Sequence, residues 1–151
     1  MNSIPRYRQR DVLNCLPMVA KADLNNWLGR GALTLDNPDV TPRRYSDRDL
    51  VALACMWELR RQHIPPAAAA RIAIHAKDRT RNWYAGCRPC VFLFWFTGDQ
   101  VRVRTVHADE VGQHLTYNVL GTPAAVLTLH VDDVIESVHH QMEDTPCLAA
   151  A

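Results

Sequence analysis

The sequence predicts an α+β protein: a helical, basic N-terminal half followed by a small β-hairpin-containing unit that ends in a helix. Apolar residues recur at helical spacing as far as about residue 84, and near Gly86 the period falls to two. Charge changes at the same place. Residues 1–82 hold 14 Lys and Arg against 8 Asp and Glu, and residues 83–151 hold 3 against 8, so a net +1 conceals +6 and −5. Finally, Cys90–Thr97, Gly98-Asp99 and Val101–Val106 form a strand–turn–strand pattern. The boundary is placed at residue 85, giving units 1–85 and 86–151.

Pro5 makes residues 1–7 an extended arm. Val12, Leu13 and Leu16 share a face from Arg8 to Leu16, a short helix that Pro17 ends. Residues 19–29 read as a second helix with Ala20, Leu24, Trp27 and Leu28 toward the core. Lys21 and Asn25, four apart, share another face that Asn26 borders, and Gly29 and Gly31 close the helix. Two short helices with a tight connection form a helix-turn-helix unit. Its second helix turns amide and cationic groups outward, types that pair with base edges or phosphates. A polar outer face of an ordinary helical domain is the competing reading.

From Leu33 to Tyr45 the prolines at 38 and 42 predict a hairpin or an irregular wing. Asp36 and Asp39 would repel phosphate, which leaves Arg43, Arg44 and Tyr45 at its base as the contacting groups. Ser46 then caps a helix over Asp47–Gln62, with Asp49 in a capping-box position. Leu50, Leu53, Ala54 and Trp57 form its apolar stripe. Pro65 and Pro66 suit the first turn of the next helix, Ala67 to about Tyr84, with Ala68, Ile72 and Ala76 inward. Arg71, Lys77, Arg79 and Arg81 are expected largely in solvent. After the hairpin, residues 108–123 read as a polar connector with a short strand, Ala124–Leu129 as a strand, and Val131–Met142 as an amphipathic helix.

A basic first half points to an anionic partner, and nucleic acid is the commonest for a cytosolic chain. Cytoplasmic location is expected, with no membrane span, because no apolar run approaches about 20 residues and no apolar h-region follows the N-terminal charges. The odd count of five cysteines fits reduced thiols. Cys87-Arg88-Pro89-Cys90 is a lone Cys-x-x-Cys without the second pair a structural zinc site requires. Asp132 and Asp133 suit a helix N-terminus better than acid–base chemistry. No nucleophile elbow or phosphate-cradling glycine loop is visible. No enzyme activity, cofactor or metal is expected.

Arg43-Arg44-Tyr45-Ser46 with Asp49, preceded by Leu24-Asn25-Asn26-Trp27-Leu28-Gly29-Arg30-Gly31-Ala32-Leu33 and followed by Ile64–Ile72, resembles the MerR family of winged helix-turn-helix regulators. The resemblance covers roughly residues 8–76. It departs from the family pattern at Asn25, where an Arg is common, at Trp27, where a Tyr is usual, and around His63, where a Gly often precedes the next helix. The family's long dimerising helix is replaced by residues 86–151. The resemblance implies binding to double-stranded DNA; metal or drug sensing is not implied. The residues expected to make the contacts are Lys21, Asn25 and Asn26 on the outward helix face, Arg30 after it, and Arg43, Arg44 and Tyr45 before the next helix. The function expected is that of a sequence-specific transcriptional regulator, homodimeric through residues 90–142 so that two half-sites are read. An excisionase-like architectural DNA binder and a protein-interaction adaptor are the alternatives.

Overall fold

The computed structural model describes residues 4–83, 86–116 and 126–145. Its organising element is α3, Asp47–Arg61. Ser46 starts it with the expected box: Ser46 Oγ accepts from Asp49 N at 3.1 Å, and Asp49 Oδ2 accepts from Ser46 N at 2.9 Å. Two otherwise orphaned N–H groups are thereby satisfied. Burial runs all round this helix: Val51, Ala52, Cys55 and Met56 are as inaccessible as Leu50 and Leu53. The cause is packing on two sides, by α4 (Pro66–Arg79) and by α6 (Val131–Asp144). Burial pushes the Cys55 thiol up to about 12.

Helices α1 (Gln9–Cys15) and α2 (Lys21–Gly29) add Val12, Cys15, Leu16, Leu24 and Trp27 to the same core. Ala20 is exposed and serves as the N-cap position of α2, so it does not belong to the inward stripe expected of it. Between α2 and α3 the chain makes no strand ladder. Its one bridge joins Tyr7 of the arm to Tyr45, where each backbone N–H donates to the other's carbonyl at 3.0 and 2.9 Å. His63 turns the chain out of α3 with φ 63°, the left-handed conformation a glycine adopts more easily. Pro65 and Pro66 open α4 as predicted, but the helix stops at Arg79. Thr80 Oγ1 and Arg48 Nε both donate to Lys77 O, at 2.7 and 3.1 Å, occupying the carbonyl at its end.

Strands β1 (Cys90–Thr97), β2 (Gln100–His107) and β3 (Leu127–Leu129) form an antiparallel sheet of order β2-β1-β3. The hairpin register runs from Cys90↔His107 to Thr97↔Gln100, with Gly98 at φ 61° in the two-residue turn. The unbroken apolar run of β1 follows from covering on both faces. Phe92 and Phe94 join the helical core with Leu129 and Ile135, whereas Val91 and Leu93 meet Val106, Val111 and Val126. In the connector, a 3-10 turn at Ala108–Glu110 and α5 (Val111–Thr116) stand at its start. The remainder of the connector, and the first residues of the strand expected at Ala124–Leu129, lie outside the described residues.

The architecture is therefore α+β, ending in a helix. One apolar cluster extends from Tyr7 to Val138 and draws on both sides of residue 85. Among the described residues no helix is long and apolar enough to cross a membrane.

Candidate nucleic-acid interface

Burial of Leu24 and Trp27 fixes the rotation of α2 and leaves Lys21, Asn25 and Asn26 exposed. Arg30 follows the helix and is also exposed, ahead of Gly31 at φ 65°. The first turn of α1 adds a group the sequence reading did not single out. Gln9 Nε2 donates to Asn25 Oδ1 at 3.2 Å, tying the two helices together across their exposed edge. Gln9 and Lys21 share a cleft of about 370 Å³ with Arg10, Leu13 and Asn14.

The segment after α2 is held by a buried polar cluster. Lys77 Nζ donates to Thr34 O at 3.0 Å and lies 2.7 Å from Asp49 Oδ1 and 3.0 Å from Asp36 Oδ1. Asp36 N donates to Asp49 Oδ1 at 3.1 Å, and Ser46 Oγ donates to Asp36 Oδ2 at 2.6 Å. Arg48 stands 3.7 Å from Asp36 and from Asp78. Burial would raise the Asp36 carboxyl, but hydrogen bonds from Ser46 and Lys77 and the charges of Lys77 and Arg48 hold it below its ordinary value. Lys77 is thus not a solvent residue, contrary to its sequence reading: its side chain is 7% exposed. Asp36, in turn, faces internal cations, so its negative charge is compensated within the fold.

This latch leaves Arg43 exposed and Arg44 half-buried. Arg43 borders a cleft of about 200 Å³ with Leu28, Gly31, Leu33, Thr34, Leu35 and Pro38, which joins it to the C-terminal end of α2. Tyr45 sits elsewhere. At 1% exposure its ring belongs to the core, and burial raises its hydroxyl pKa ahead of the opposing effect of Arg43. It positions the base of the segment and has no surface to offer a partner.

A second latch lies on the far side of α4. Arg79, also expected in solvent, donates through Nε and Nη2 to the two oxygens of Asp132 at 3.0 and 2.8 Å, and Asp132 Oδ2 accepts from Cys90 N at 2.9 Å. The hydrogen bond to Asp132 raises the Arg79 pKa against the opposing effect of burial. One carboxylate thereby joins α4, β1 and α6. Cys87 Sγ lies 3.6 Å from Arg79 Nη2, and Cys90 is buried with its thiol pushed up by desolvation. Among the described residues, no group of His, Cys, Asp and Glu is arranged to hold a metal ion.

No protein-family model matches the chain, and no curated protein is significantly similar to it. The chemistry of the site must be read from its own groups. It presents one cationic amide-bearing helix face, flanking guanidiniums at Arg30 and Arg43, and an anchored loop between them. Such a surface can neutralise phosphates and hydrogen-bond to base edges.

Proposed function

We propose that this protein is a sequence-specific DNA-binding transcriptional regulator of MerR-like winged helix-turn-helix type. In this reading α1 and α2 are the helix-turn-helix, α2 enters the major groove, and residues 30–45 are the wing. The observation that carries it is the exposed row Lys21, Asn25 and Asn26 on a helix whose opposite side is locked by Leu24 and Trp27. Arg30, Arg43 and Arg44 supply phosphate contacts around that helix. The buried Lys77–Asp36–Asp49 cluster favours the reading, because it sets the wing's base rigidly and removes Asp36 from the surface facing the phosphates.

The protein acts as a homodimer through residues 90–142. Strand β2 lies at the edge of the sheet with eight regular residues, and Phe96 beside it is 39% exposed. Two-fold pairing supplies the second half-site that one small module lacks. The test is selection from a random duplex library, with sedimentation of the recovered complex. An enriched two-fold-symmetric motif bound by two protomers supports the reading. Uniform coating without a motif favours an architectural binder, and no retention of duplex removes DNA from the account.

A further inference from the structure

The hydrogen bond from Gln9 to Asn25 changes what Asn25 can present. An isolated Asn amide offers a donor and an acceptor side by side and suits adenine, whose major-groove edge has the complementary pair. Here Gln9 Nε2 donates to Asn25 Oδ1 at 3.2 Å, so the carbonyl is turned toward α1. The amide is planar and trigonal, and its Nδ2 group must diverge from that carbonyl. Of the other polar side chains of the cleft, Lys21 and Arg10 carry donors only, and Asn14 adds an amide with a donor and an acceptor. Donors therefore outnumber acceptors on this face. Guanine, with N7 and O6 both accepting, is the base whose edge matches a donor-rich surface.

We infer that Gln9 is a positioning residue that fixes the orientation of the Asn25 amide and so sets a preference for guanine at one base pair of the half-site. The inference rests on the DNA-binding reading. It replaces the adenine contact that Asn25 by itself would make.

Gln9 is the first residue of α1, where a carboxylate is compatible with the helix dipole, so Gln9→Glu is a conservative probe. A carboxylate cannot donate to Asn25 Oδ1 but can accept from Nδ2, which would turn the amide over and present its carbonyl outward. Random-duplex selections are run side by side on the wild type, Gln9→Ala, Gln9→Glu, Asn25→Ala and the Gln9→Ala, Asn25→Ala double variant, and motifs are compared rather than affinities, since an added negative charge weakens all DNA binding. The wild-type motif should hold guanine at one position. Gln9→Ala and Asn25→Ala should each relax that same position by roughly fivefold or more, without further loss when combined. Gln9→Glu should move the preference there to a donor-bearing base, adenine or cytosine. Unchanged motifs in both Gln9 variants overturn the inference while leaving the DNA-binding reading intact. Failure of the wild type to enrich any motif removes both.

Discussion

Replacing Lys77 by Met tests whether the segment between α2 and α3 is held by charge. Met keeps much of the apolar stem and removes the ammonium, leaving Asp49, which is 0% exposed in its side chain, without its 2.7 Å partner. Breaking one side of a buried pair typically costs 3–5 kcal/mol, because a charge is stranded in a low-dielectric interior. The structure favours the lower end. Asp49 keeps N–H donors from Ser46 and Asp36, and Asp36 keeps Ser46 and the more distant Arg48. About 3 kcal/mol is expected, or a fall in melting temperature of roughly 6–12 °C for a chain of this size. Urea titration of both proteins gives the free energy, provided the slope with denaturant is unchanged. Adding Asp49→Asn to Lys77→Met should recover part of the loss, since the stranded charge is then gone. A cost below about 1 kcal/mol would place the pair among the weak surface interactions and refute the latch.

Other outcomes follow from the same groups. Arg79→Met should destabilise the fold by about 3–5 kcal/mol and raise hydrogen exchange at Cys90 N, whose acceptor Asp132 loses its cation. Asp36 has a depressed pKa when folded. Its contribution is therefore present above the unfolded value of about 3.9 and is lost as pH falls through the lower folded value. The urea midpoint should drop below roughly pH 4, and less steeply in Asp36→Asn. Arg43→Ala and Arg44→Ala should weaken binding to all duplexes alike and each lower the logarithmic salt slope by about one; a changed sequence preference at intact affinity would contradict their backbone role.

Local structure was legible wherever the signal was local. Cys90–Thr97 is a continuous β-branched and aromatic run closed by Gly98-Asp99, and the strand occupies those residues without shift. Ser46 and Asp49 carry their capping chemistry within four residues. The latches were hidden because their partners are far apart in the chain: Lys77 is 28 residues from Asp49, and Arg79 is 53 from Asp132. A weak sign existed at Lys77, which continues the i, i+4 row of Ala69 and Ala73 and so lies in the buried stripe of α4. At the candidate site, the exposure of Lys21 and Asn25 followed from the helical period. The burial of Tyr45 did not, since it depends on pairing with Tyr7 in the arm. Nor does any pattern join Gln9 to Asn25, which meet only once α1 and α2 are packed.

In the proposed function the α2 face and Arg43–Arg44 bind duplex DNA. Amide chemical-shift mapping with a mixed-sequence duplex at low salt tests it most directly. Shifts are expected to concentrate at residues 21–30 and 43–44 and to fade as salt is raised, with α6 and the core of α3 unmoved. Shifts confined to α6 or the sheet, or none at all, would contradict it.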